Sequence, residues 1–172
     1  MKTRKLTLSS PIEEKIAWAV ACSRNIGDRL REDRMVVRLL DRVSRAIQAS
    51  RTRMTETGVS ALCRQCEQEE GGSCCGAGME NRYDGTLLLM NLLLGCSLPE
   101  ARMDPGSCYF LGEEGCVLRA RHVICINYIC RKITSRVDPA EIQALREVEG
   151  EEVNLVFCLH EHLKKALKEL SA

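Results

Sequence analysis

Aromatic residues are scarce in this chain: one Trp, three Tyr and two Phe make up 3% of 172 residues. A sandwich of strands needs aromatic and β-branched side chains, so the core has to be built from Leu, Ile, Val, Ala and Met, the composition of packed helices. Net charge is nearly absent too. With 25 basic against 24 acidic residues the balance is +1, which gives no general pull towards nucleic acid or anionic lipid. Long apolar runs are missing: the most apolar stretch, Leu87 to Leu94, is interrupted by Asn91 and is too short to span a bilayer. The opening MKTRKLTLSSPIEEK meets Glu13, Glu14 and Lys15 where a signal peptide needs an unbroken apolar segment. Phosphate-binding glycine loops, dinucleotide fingerprints and serine-nucleophile motifs are all lacking. Only three histidines are present, and none is placed by sequence beside a thiol, so no catalytic residue is named.

Cysteine is abundant, with eleven in the chain. Cys63, Cys66, Cys74, Cys75, Cys108, Cys116, Cys125 and Cys130 crowd one segment, and only Cys22, Cys96 and Cys158 lie apart. Without an export signal the expected compartment is cytoplasmic, where thiols stay reduced and such a pattern points to metal or redox chemistry rather than disulfides.

Around that segment the pattern predicts a helical frame in a single domain, 1–172. Its parts are N-terminal helices over 10–57, a cysteine-cluster region over 62–131 and C-terminal helices over 138–170. Ser10-Pro11-Ile12-Glu13 reads as a capping box opening a helix to about Arg24. Asn25-Ile26-Gly27-Asp28 reads as a stop and a restart, with a second helix running to about Thr55. Val36, Leu39, Leu40, Val43 and Ile47 share one face of it; Arg34, Arg38, Arg42 and Arg45 share the opposite face, read as solvated. The first stripe is expected to pack on Leu155, Leu159 and Leu163, so that the chain ends clamp the cysteine region. A short helix Leu87–Leu94 closes at Gly95. Asp138-Pro139-Ala140-Glu141 opens a helix to about Val148, and Gly150 marks a break before a last helix through Leu170. The expected class is mainly α: a helical bundle frame with an irregular, metal-stabilised cysteine-rich insert.

In Cys63-Arg-Gln-Cys66 the two-residue gap lets both thiolates bind one metal. Cys74 and Cys75 are adjacent, so their side chains point apart and serve two centres, or give one ligand and one packing residue. Gly71, Gly72, Gly76 and Gly78 let the backbone wrap closely there. Cys108, Cys116, Cys125 and Cys130 supply four more thiols, completing the candidate metal-ligand set of eight. Thiols this dense in glycine-rich loops are poor core material.

The order CxxC, then CC, then a C…GC loop and a final C after Arg121-His122 resembles the YkgJ-type cysteine-cluster family, described as a zinc- or iron-chelating domain. The same signature occurs in a flagellin lysine methylase associated with an iron–sulfur cluster. Cys63 and Cys66 match the opening pair, Cys74 and Cys75 the double cysteine, and Cys108 and Cys116 the loop pair. Arg121-His122 stands where the family has Arg-Pro before Cys125. The gap from Cys66 to Cys74 is longer than the family's usual one. The resemblance covers roughly residues 62 to 131 and implies metal binding, without a specific reaction.

The expectation is therefore a metal-binding cysteine-cluster protein carrying an iron–sulfur cluster, 4Fe–4S favoured, in an electron-transfer, sensing or accessory role beside a protein partner. One alternative is a structural zinc module, with Zn2+ knitting loops into a partner surface. Another is a cluster-bearing subunit of a transferase. Neither membrane nor nucleic acid is an expected partner. Cys22, Cys96 and Cys158 are read as packing residues, and His160 and His162, two apart on a helix, as ordinary histidines. His122 is the foremost non-cysteine ligand candidate, with a structural role as its rival.

Overall fold

The computed structural model describes residues 6–69 and 74–171, and the architecture is mainly helical. Gly71 and Gly72 of the glycine-flanked turn, and the basic start of the chain, lie outside the described residues. Helices α1 (Ile12–Glu32) and α2 (Arg34–Glu56) lead to α3 (Val59–Glu69). A single 3-10 turn, Met79–Arg82, precedes α4 (Gly85–Leu93). A two-strand hairpin follows, β1 (Leu111–Gly112) with β2 (Gly115–Cys116), then α5 (Val123–Asn127), α6 (Arg131–Thr134) and the long α7 (Pro139–Ser171).

Two expected breaks are absent. Gly27 is buried inside α1, and the turn between the first two helices falls at Asp33, whose carboxylate accepts from Met35 and Val36 N–H. A mid-helix glycine costs only about 1 kcal/mol, which packing of α1 on α4 offsets. Gly150 likewise sits within α7, which is continuous over 33 residues, about 50 Å of helix at 1.5 Å per residue. The capping box at Ser10 is not made either. Pro11 takes the cap position without a side-chain bond, and the Ser10 hydroxyl instead accepts from Thr7 N–H.

The cysteine region is less irregular than its composition implies. Cys63 and Cys66 lie on α3, Cys116 on β2 and Cys125 on α5, and Cys130 caps α6. Short helices form there because apolar residues such as Val59, Ile126 and Ile133 each find a buried face to anchor them.

Two apolar clusters organise the molecule. The larger joins Val36, Leu39, Val43 and Ile47 of α2 to Leu155, Leu159 and Leu163 of α7, with Leu88 to Met90 of α4 fully buried beside them. The expected α2–α7 packing is thus present, and Leu40 is its half-buried margin. Each fully buried leucine contributes roughly 1.5–3 kcal/mol. Arg34, Arg38 and Arg45 on the other face are exposed, and Arg42 pairs with Glu151. A smaller cluster of Val59, Ile133, Val137 and Leu145 lies where α3, α6 and the start of α7 meet. Among the described residues no helix is long and apolar enough to cross a membrane.

Candidate metal centre

All eight clustered cysteines line one cavity of about 480 Å3. Sequence spacing from Cys63 to Cys130 gives no reason for this; the fold brings α3, the Cys74-Cys75 bend, the hairpin, α5 and the cap of α6 around a common space. No disulfide joins any two of the eleven cysteines. Among the described residues no three Cys, His, Asp or Glu groups gather closely enough to hold a single ion. The thiols wall a volume instead of converging on a point.

Four of them belong to the main core. Cys75, Cys108, Cys116 and Cys125 pack against the larger apolar cluster, whereas Cys63, Cys66, Cys74 and Cys130 are not part of it. Cys108 N–H donates to the Cys75 carbonyl, and Gly76 bridges Ser107, so the double-cysteine bend is zipped to the segment before the hairpin. Cys116 pairs with Leu111 across a two-residue turn closed by Gly115 at φ 109°, a left-handed conformation that favours glycine. Tyr83 donates its hydroxyl to Cys125 Sγ at 3.7 Å. Burial pushes the Cys108 thiol up to about 11 and the Cys116 thiol up to about 11, so both hold their protons at neutral pH.

The remaining four lie further out. Cys63 and Cys66 are three apart on α3 and therefore on one face, a helical way of presenting two thiols together that the loop reading of Cys63-Arg-Gln-Cys66 did not anticipate. Cys66 Sγ accepts from Lys132 Nζ at 3.3 Å, tying α3 to α6. Cys130 packs with the smaller cluster beside Leu62. Cys63 and Cys74 are exposed residues. Their thiols are nonetheless pushed up, first by loss of water and then by charge repulsion: Cys63 from Cys74, Cys130 and Cys66, and Cys74 from Cys130, Cys66 and Cys125.

Several residues that sequence reasoning passed over hold this arrangement. Glu80, buried, accepts from Gly78 N–H at 2.9 Å and Tyr109 N–H at 3.4 Å and pairs with Arg102, which also reaches the Ser107 carbonyl. Burial opposes its charge, but Arg102 and the amides overcome this and hold the carboxyl below its ordinary range. Asn91 donates to the carbonyls of Leu87 and Ala120, both at 2.9 Å, and accepts from the N–H groups of Arg119 and Ala120, fixing the approach to α5. In sequence it only interrupted an apolar run. Three of the few aromatics, Tyr83, Tyr109 and Phe110, stack edge-on in this region, Tyr83 to Phe110 at 5.1 Å. Gly85 begins α4 against Trp18, where an added Cβ would stand 2.5 Å from the ring. Arg121, Lys132 and Arg136 supply positive charge along the cavity wall. The Arg121-His122 pair was visible in sequence; the cap at Asp84 and the roles of Glu80 and Asn91 come from the structure.

The histidines stand elsewhere. His122 caps α5, its Nδ1 accepting from Ile124 N–H at 3.2 Å, and it lines a second cavity of about 620 Å3 with Arg82, Asp84 and His160. His160 pairs with Asp84 and His162 with Asp33. None of the three borders the thiol cavity. Cys22 packs against the core and Cys96 Sγ meets Asn91 Oδ1 at 3.5 Å. Cys158 departs from expectation: it is exposed, because the continuous α7 turns this position away from α2. No family model, no curated protein and no solved structure matches this chain.

Proposed function

We propose that the chain is a metal-binding cysteine-cluster protein whose thiol cavity holds iron–sulfur chemistry. The observation that carries this reading is the convergence of eight thiols, separated by as many as 67 positions in sequence, on one space of about 480 Å3. The donor set is thiolate throughout, which suits soft or borderline metals and iron–sulfur clusters. A single tetrahedral zinc ion draws its sulfurs to about 2.3 Å from one centre. A cluster interposes iron and sulfide and so accepts thiols that line a volume, which is the arrangement here. Arg121, Lys132 and Arg136 along the wall offset the negative charge that thiolate ligation brings. The resemblance of the CxxC, CC and later cysteines to the YkgJ-type family supports the same chemistry.

When bound, such a cluster supplies one-electron chemistry, in an electron-transfer, sensing or accessory role for a protein partner. The chain's own contribution is to bring the thiols together, place Arg121, Lys132 and Arg136 along their wall and shield the inner ones from water. Protein purified without oxygen is expected to be brown, with iron and acid-labile sulfide in stoichiometric amounts. A colourless sample with stoichiometric zinc would replace this reading by a structural zinc module. A sample without either metal, after reconstitution with each, would remove both.

A further inference from the structure

Resting on that reading, we propose that the eight thiols form two separate four-thiolate centres: an inner one of Cys75, Cys108, Cys116 and Cys125, and an outer one of Cys63, Cys66, Cys74 and Cys130. Packing divides all eight along this line, and backbone contacts and helix placement follow it for six of them. The inner four, and none of the outer four, pack against the larger apolar cluster, while Cys130 belongs to the smaller one. Backbone contacts sort them likewise: Cys75 is bonded to Cys108, and Leu111 of the hairpin is bonded to Cys108 and paired with Cys116. Three of the outer four, Cys63, Cys66 and Cys130, are carried by α3 and the cap of α6, which touch each other and are joined by Lys132 on Cys66, and Cys74 comes from the bend beside Cys75.

Cys74 and Cys75 are the joint between the centres. Adjacent side chains leave the backbone in different directions, so one bend delivers one ligand to each side, which explains a double cysteine that a single centre would not need. Exposure differs as well: Cys108 is buried and its three companions are half-buried, whereas Cys63 and Cys74 are exposed. The outer centre should therefore surrender its metal first.

The test uses the full chain reconstituted without oxygen with ferrous iron and sulfide, and reads metal per chain, circular dichroism and a thermal melt. Cys66→Ser and Cys116→Ser are each expected to halve the metal of the wild type. The double variant Cys63→Ser/Cys66→Ser should stay at half, and Cys66→Ser/Cys116→Ser should fall to none. Loss of all metal in one set of single variants with no loss in the other would overturn the division in favour of one centre. Wild-type protein provides a measurement independent of whether variants fold. Under stepwise chelation with a thiol-alkylating probe, Cys63, Cys66, Cys74 and Cys130 should be labelled in a first step and the other four in a second. A single step labelling all eight together would overturn the proposal. Wild type that binds no metal would instead remove the reading on which it rests, and the two failures are distinct.

Discussion

The two apolar clusters differ in what they can hold still. The larger one spans α1, α2, α4 and α7 and takes in four of the eight cavity cysteines, Cys108 as a buried member and Cys75, Cys116 and Cys125 at its margin, while the smaller has four buried members, Val59, Ile133, Val137 and Leu145. Cysteines that border a large core inherit its order at little cost. Those over a small one depend on fewer neighbours, and the proposed ligation would be a larger share of what fixes them. The molecule thus pairs a rigid thiol surface with one whose geometry a bound group would finish.

The sharpest way to break this comparison is to remove a leucine from each cluster on the same helix. Leu159 and Leu145, 0% and 1% exposed, both lie on α7. Leu159→Ala is expected to cost roughly 3–5 kcal/mol and lower the whole denaturation curve, and Leu145→Ala about 2 kcal/mol with faster amide exchange confined to α3 and α6. Equal losses with identical exchange patterns would erase the distinction.

Next in size is the support beneath the inner thiols. Glu80→Ala orphans the N–H groups of Gly78 and Tyr109, at roughly 1–3 kcal/mol for each donor left unsatisfied. Amide exchange should rise around the Cys75 bend and at Tyr109 while α2 and α7 stay protected. An unchanged exchange map would show that the hairpin and bend order themselves without this carboxylate.

A smaller effect, of opposite sign, is expected on α7. Glu152 is fully buried on α7 and both its oxygens lack a hydrogen bond; Ser50 faces it without bonding geometry. Burial raises its pKa, with Ser50, Arg121 and Arg51 pulling weakly the other way. A carboxyl whose folded pKa lies above its unfolded value costs stability as pH rises from the unfolded to the folded value. Glu152→Gln should therefore stabilise by about 1 kcal/mol at pH 7, with the gain shrinking as pH falls towards 4.5. Melts at the two pH values give the answer, and a variant less stable at pH 7 would contradict it.

The smallest expected effect concerns the pair that ties α7 to the start of α4. His160 Nε2 lies 2.9 Å from Asp84 Oδ2. Burial lowers the histidine, but the bond and charge of Asp84, helped by Glu161 and opposed by Lys164, outweigh it and leave the pKa raised. Burial likewise opposes Asp84, whose pKa is nonetheless lowered by His160 and the Leu87 amide. The histidine contribution is full below its unfolded pKa near 6.5 and fades as pH rises through the higher folded value. Asp84 contributes above 3.8 and is lost as pH falls through its lower folded value. His160→Gln should cost about 0.5–1 kcal/mol near pH 5.5 and less near pH 9. A cost that grows with pH would reverse the assignment.

Periodicity and composition by themselves determined that the chain is helical, that Val36, Val43 and Ile47 form a buried stripe, and that Leu155, Leu159 and Leu163 oppose it, because a 3.6-residue repeat of aliphatic residues has one economical partner. Cysteine density alone singled out the eight residues that line the cavity. Breaks were misjudged at Gly27 and Gly150, since a glycine's local cost of about 1 kcal/mol is small beside the packing of a whole helix face. Only the tertiary structure decided that Cys63 and Cys66 ride a helix, that Cys158 faces water and that His122 looks into a different cavity. It alone also assigned Glu80 and Asn91 their roles, because a buried polar side chain is defined by partners tens of residues away, which no local pattern encodes.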